Sequence, residues 1–233
     1  SNRATSCSMA EAALKLTDAH KRRLNYLRIS VTDRCNLRCM YCMPRGGVPK
    51  LPHGDILSYE EVLRLAKIAT GLGIDKIRIT GGEPLVRKGI IDFLSRIASV
   101  SGVKDLALTT NGVLLEENLD RLRAAGLRRI NVSLDSLRPD RYAGITGRDC
   151  FDQVWRAIRT APEKGFHPVR INMVVMRGVN DDEVVDFARL SLLYPYHVRF
   201  IEYMPIGTSD LKGSLRHIPS SEIKERVARL GNL

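Results

Sequence analysis

Apolar and polar residues alternate in six short runs along the chain, and between them apolar residues recur at helical intervals. Period-two alternation rich in β-branched residues predicts strands. The first is Tyr26–Val31, followed by Lys76–Thr80, Asp105–Thr109, Arg129–Leu134, Val169–Val175 and His197–Tyr203. Ser58 with Glu61 makes a capping box that opens an amphipathic helix over YEEVLRLAKIATGLG. Further helices are predicted through Ile90–Val100, through Leu114–Ala125 with Gly126 as its end, and through Phe151–Thr160 with Pro162 as its stop. Asn180 with Glu183 is expected to cap a helix to Leu190, and Ser220 to cap a last one to Leu230.

Strand-then-helix units with short connections predict a parallel sheet covered by helices. Two α/β architectures fit, an open doubly wound sheet and a barrel. Chemistry-bearing residues lie at the ends of all six strands or within them: Cys35, Gly81, Thr109, Ser133, Arg170 or Asn172, and Met204. A doubly wound sheet gathers its site at one switch point. Sites fed by many strands are typical of barrels. The expected fold is therefore a partial (β/α)6 TIM-like barrel over residues 26–233, preceded by a leader over 1–25. Its open side would admit a large substrate, and its exposed strand edges would need covering.

Composition narrows the setting. Hydrophobic residues make up 44% of the chain and charged ones 27%, as in an ordinary globular protein. No apolar run approaches the ~20 residues that cross a bilayer, and the polar start has no secretory h-region. Five cysteines, three within eight residues, do not resemble a disulfide framework, which favours a reducing cytoplasm. The formal charge of +11 draws anions. Its arginines are scattered, without a basic tail or an aromatic platform, so a small phosphorylated substrate fits as well as RNA does.

The three clustered cysteines are Cys35, Cys39 and Cys42, in DRCNLRCMYCMP directly after the first strand. Three thiolates at this spacing suit three irons of a [4Fe-4S] cluster, leaving the fourth iron open to a small ligand. A structural zinc site would want four ligands. Cys7 and His53 are the nearest further candidates, and neither is close in sequence. The five histidines show no metal-ligand spacing among themselves.

After the second strand comes TGGEP, Thr80–Pro84. Two glycines permit close backbone approach, and Glu83 supplies a carboxylate. Neither GxGxxG nor GxxxxGK[ST] occurs there, so dinucleotide and P-loop readings fail. The motif reads alone as a sharp turn. Beside the cysteine loop it reads as a grip for the amine of an amino-acid ligand on the open iron.

Together CxxxCxxC and GGEP resemble the radical S-adenosylmethionine (SAM) superfamily. The longer strings YLRISVTDRCNLRCMYCMP, GIDKIRITGGEPLVRKG, LTTNGVLL, AGLRRINVSLDSL, INMVVMRGVNDDEV and RFIEYMPIG resemble the MoaA family of GTP 3',8-cyclases in molybdenum cofactor biosynthesis. The likeness runs from about residue 17 to 230.

The resemblance implies a cytoplasmic lyase that cyclises GTP to 3',8-cyclo-7,8-dihydroguanosine triphosphate by a SAM-dependent radical mechanism. Cys35, Cys39 and Cys42 match the cluster ligands and are the catalytic and metal-binding set. Tyr41, Gly82, Ser133 and Met204 match SAM-contacting positions, with Glu83 beside them. Arg28, Arg78 and Thr109 match GTP-holding positions, with Lys76 and Arg199 as further candidates. Arg170 stands where the family has a lysine; it keeps the charge as a planar fork. The implied partners are GTP, cyclic pyranopterin monophosphate synthase, a reductant such as flavodoxin or ferredoxin, and a second copy in a homodimer; membrane and nucleic acid are not expected. The family's second [4Fe-4S] cluster, on three cysteines of its C-terminal third, has no counterpart before Leu233, so the chain is expected to be a C-terminally truncated piece.

Plainer readings accompany these. Arg28 and Arg78 would pair with Glu83 or Asp33, Thr109 and Ser133 would end strands, Met204 would pack in the core, and Asp135 would be structural. Other activities with the same motifs are RNA or peptide modification by radical chemistry, or a non-catalytic scaffold holding a cluster.

Overall fold

The computed structural model describes residues 16–42, 49–204 and 216–231. Cys7 lies outside them. Six parallel strands, β1 (Tyr26–Ser30), β2 (Lys76–Thr80), β3 (Asp105–Thr110), β4 (Arg129–Ser133), β5 (Val169–Val175) and β6 (Tyr196–Glu202), pair in chain order. Among the described residues no strand pairing joins β6 back to β1. Sequential order with parallel pairing is the topology of a partial barrel, as the spread of chemistry-bearing residues over all six strands predicts.

Among the described residues seven α-helices accompany the sheet: α1 (Tyr59–Gly71), α2 (Ile90–Ala98), α3 (Leu119–Ala124), α4 (Pro139–Thr146), α5 (Phe151–Thr160), α6 (Val184–Leu193) and α7 (Ser220–Val227). The capping box of α1 forms as expected, with Ser58 and Glu61 bonded reciprocally. The predicted helix from Leu114 is shorter: a 3-10 turn over Glu116–Asn118 precedes α3. α4 was not foreseen, because its eight residues carry too few apolar positions to show a period. Asn180 does not cap α6. Its side chain accepts from the Met176 N–H and donates to the carbonyls of Asp135 and Val174, so it ties two strand ends together. Ser220 is the first residue of α7, with Pro219 at the cap position.

The core lies between the outer face of the sheet and the helices. Ile77, Ile79, Leu106, Leu108, Ile130, Val132, Ile171 and Met173 project outward from the strands and are buried against Phe93, Leu94, Ile97, Leu122, Val154, Ile158 and Phe187. Each such side chain contributes roughly 1.5–3 kcal/mol of transfer free energy. The inner face follows the opposite code. Strand register places Arg28, Arg78, Ala107 and Arg129 in one row across β1 to β4, and Thr109, Asn131, Arg170 and His197 in the next across β3 to β6. Parallel sheets normally bury apolar residues on both faces. A polar inner face is therefore a cost to stability.

The loop after β1 is fastened to the turn after β2. Val31 extends the ladder by donating to the Thr80 carbonyl, Gly82 N–H donates to Thr32, and Glu83 N–H donates to Arg34. A Cβ on Gly82 would lie 2.3 Å from the Arg34 carbonyl oxygen. Only glycine admits that approach. Gly82→Ala is expected to lower stability by about 1–3 kcal/mol through forced backbone displacement. Gly71→Ala, at a helical position with open space around it, should raise stability by roughly 0.5–1 kcal/mol. Urea denaturation midpoints of the two variants check the contrast; equal effects would remove the steric explanation.

Candidate active site

Cys35 and Cys39 are half-buried and Cys42 is exposed, all on the loop that follows β1. The loop is held on two sides. The Gly81–Glu83 turn grips its start. Its middle is held by the end of α4, where Arg38 N–H donates to Thr146 and Met40 N–H to Ile145. Those carbonyls belong to the last turn of a helix and have no partner within it. Gly147, left-handed at φ 73°, closes α4 against Arg38.

The three thiols face one another closely enough to interact. Burial raises the Cys39 thiol well above its ordinary value, and negative charge on Asp135, Cys35 and Cys42 raises it further. Burial and Cys35 raise Cys42 in the same direction. Such a set resists carrying three thiolates unless cations balance them. Among the described residues no three Cys, His, Asp or Glu side chains converge on a single-ion site. An iron-sulfur cluster needs no such convergence, since each thiolate meets a different iron. The donor set therefore fits a cluster better than a lone zinc.

Glu83 is fully buried and its carboxylate is spent on the protein. Oε1 accepts from the Thr110 hydroxyl at 2.8 Å and the Leu85 N–H at 3.0 Å, and Oε2 accepts from the Asn111 N–H at 2.6 Å. Burial raises its carboxyl above the ordinary carboxylate range, and these bonds oppose the rise. Glu83 thus joins the mouths of β2 and β3. The expected grip on a ligand's amine does not match this placement, because both oxygens already hold protein donors. Tyr41 is also anchored: its hydroxyl donates to Asp135 at 2.8 Å. Asp135 accepts in addition from the Val174 N–H, and burial pushes its carboxyl up to about 6. The expectation that Asp135 is structural agrees with these bonds.

Ser133 ends β4, half-buried and level with Asn172. Met204 follows β6 and is 61% exposed, so the core-packing reading fails. Thr109 is half-buried on β3. Lys76 is exposed at the first position of β2, level with Tyr26 and Asp105.

The arginines gather on the inner face. Arg28 is exposed; Arg78, Arg170 and Arg199 are half-buried. None of the four makes an ion pair with a described residue, so the proposed pairing with Glu83 or Asp33 is absent there. Arg78 lies over the Tyr26 ring at 5.2 Å. Burial lowers the Arg78 guanidinium from its ordinary value, and repulsion from Arg28 and Arg170 adds to this. Arg199 is lowered by burial and by Arg170 and Arg78. The Nε atoms of Arg78 and Arg170 are buried without a partner. Sequence reading missed a fifth member, Arg129, which is lowered by burial and repelled by the same neighbours. Asp105 pairs with Arg129. The signal for Arg129 was present, since it opens a strand with the same alternation as Arg170.

Mutually repelling cations with orphaned donors have the chemistry that an anion would satisfy. A three-thiol loop after the first strand and an arginine-rich inner face together define a class: a parallel partial barrel with a clustered-cysteine loop at its mouth. Residues 29–191 match the family model of the radical SAM superfamily. The GTP 3',8-cyclase of Geobacter sulfurreducens is 57% identical over 215 residues, 92% of this chain and 66% of that one. Those of Pelotomaculum thermopropionicum and Thermodesulfovibrio yellowstonii are 51% and 50% identical, each over 94% of this chain and 67% and 68% of theirs. This chain belongs to the GTP 3',8-cyclase family of the radical SAM superfamily. It spans about two thirds of the length of the curated relatives it matches.

Solved structures share the fold. The hydrogenase maturase HydG superposes with a TM-score of 0.68 at 16% identity, over 87% of this chain and 48% of that one. Streptococcus suis SuiB bound to S-adenosylmethionine gives 0.61 at 22%, over 88% and 47%.

Glu83→Ala would orphan three donors, and is expected to cost roughly 3 kcal/mol or more. Glu83→Gln retains one acceptor oxygen and should cost less. Urea unfolding of both variants measures the difference; a neutral Glu83→Ala would show that the buried bonds do not hold the loop.

Proposed function

We propose that the protein of which this chain forms the barrel is a cytoplasmic lyase that converts GTP to 3',8-cyclo-7,8-dihydroguanosine triphosphate in molybdenum cofactor biosynthesis. The observation that carries this reading is the pairing of the three-thiol loop with an unneutralised arginine lining in a chain 50–57% identical to GTP 3',8-cyclases. Cys35, Cys39 and Cys42 would hold three irons of a [4Fe-4S] cluster, leaving the fourth for SAM. When bound, that cluster supplies the electron that splits SAM into methionine and a 5'-deoxyadenosyl radical.

The chain's own residues bind and orient. Tyr41, Gly82, Ser133 and Met204 line the position of SAM near the mouths of the strands. Gly82 does this while its N–H stays on Thr32. Tyr41 is kept in place by Asp135. Below them Arg28, Lys76, Arg78, Arg170 and Arg199, joined by Arg129, receive the triphosphate, and Thr109 holds the nucleoside. Forked guanidiniums offer paired N–H donors to phosphate oxygens. Binding an anion there offsets both the burial and the mutual repulsion that lower Arg78, Arg129 and Arg199. The second cluster would come from sequence outside this chain. The product would pass to cyclic pyranopterin monophosphate synthase, and a flavodoxin or ferredoxin would supply electrons.

Two experiments test this. Full-length protein reconstituted with iron and sulfide, then given SAM, dithionite and GTP deuterated at C3', should place deuterium in 5'-deoxyadenosine. Mass analysis that finds none there removes the proposed reaction. Separately, inorganic triphosphate at 100-fold above its Kd should stabilise the protein by about 2.7 kcal/mol. Combined Arg78→Ala and Arg170→Ala substitution should abolish most of that gain. A thermal shift that persists in the double variant would move the anion site elsewhere.

A further inference from the structure

Asn111 follows β3 in the LTTNG run, and none of the functional residues considered so far includes it. Its carboxamide nitrogen lies 3.7 Å from Cys35 Sγ and 2.7 Å from Asn36 Oδ1. The orientation of an asparagine amide is set by its hydrogen bonds. Here Oδ1 accepts from the Val113 N–H at 3.0 Å, which leaves Nδ2 as the end that faces the sulfur. Its backbone is fixed as well, since the Asn111 N–H donates to the buried Glu83 carboxylate at 2.6 Å. The amide is therefore aimed from the β3 side by one backbone bond and one side-chain bond. Cys35 Sγ receives a second donor, the Leu37 N–H at 3.4 Å.

We infer that Asn111 is a positioning residue that tunes the iron-sulfur site, donating an N–H···S hydrogen bond to the Cys35 ligand. The inference rests on the cluster assignment made above. Hydrogen bonds to cluster sulfurs help set the reduction potential, and groups that orient metal ligands also set their donor strength. A donor favours the state with more negative charge on sulfur, which is the reduced one. Asn111 thus makes the site easier to reduce. It also gives Glu83 a function at one remove: the buried carboxylate holds the strand end from which the amide is aimed.

The test uses full-length protein reconstituted anaerobically. Asn111→Ala should retain iron and sulfide and show a midpoint potential more negative than the parent in an EPR-monitored redox titration. A readout without substitution at Asn111 accompanies it. Protein labelled with ¹⁵N at asparagine side chains should show a ¹⁵N coupling to the reduced cluster in pulsed EPR. That coupling should persist in Asn36→Asp, which keeps the acceptor oxygen and loses the label at residue 36. An unchanged potential in a fully loaded Asn111→Ala overturns the inference, as does absence of the coupling in Asn36→Asp. If Asn111→Ala fails to hold a cluster, the labelled spectra decide alone. Failure of the parent protein to assemble any [4Fe-4S] cluster would overturn the cluster assignment itself, a separate result.

Discussion

The structure depends on one close backbone contact, the meeting of Gly81–Glu83 with Thr32–Arg34. Gly82 N–H reaches the Thr32 carbonyl at 2.6 Å and Glu83 N–H the Arg34 carbonyl at 2.8 Å. This continues the β1–β2 ladder past the ends of the strands, so the thiol-bearing loop leaves the sheet in a fixed direction. The Glu83 carboxylate then carries the same constraint to the mouth of β3 through Thr110 and Asn111. A buried carboxylate with three donors is expensive to desolvate and more expensive to leave unpaired. The arrangement is therefore all or nothing, which suits a loop whose thiols must be held at fixed separations.

Opposing this order is the charge on the inner face. Arg28, Arg78, Arg129, Arg170 and Arg199 share one concave surface, and among the described acids only Asp105 pairs with a member of the set. Burial and mutual repulsion both work against the folded chain there. The outward-facing aliphatic layer is what tolerates the cost, because it packs against helices independently of the inner face. Function and stability are thus divided between the two faces of the same strands. The period of two makes this possible: one register decides both which residues are core and which line the polar inner face.

Held at its start by the β2 turn and at its middle by α4, the thiol loop draws on two elements far from it in sequence, the second more than a hundred residues further along the chain. Asp135 adds a third anchor by holding Tyr41 from the end of β4 while accepting from β5. Each anchor uses backbone groups or short polar side chains and leaves the thiols free for metal.

Much of this was legible in the chain. Alternation placed all six strands to within a residue or two, because outward residues must be apolar and inward ones must not. The cysteine spacing and the GGEP turn marked the two ends of one site. The arginines within otherwise apolar strands stood out as residues that the helix-packed core would not hold. Tertiary structure alone decided what those residues touch. Glu83 looked like a ligand for a cofactor and is a buried link, since nothing local reveals that Thr110 and Asn111 will arrive at its oxygens. α4 has no clear apolar period, yet its terminal carbonyls hold the thiol loop. Asn111 shows its partner only once the fold carries Cys35 to its amide, 76 positions away in the chain. Local pattern fixes which face a side chain takes, whereas a hydrogen-bond partner distant in sequence is chosen only when the sheet closes.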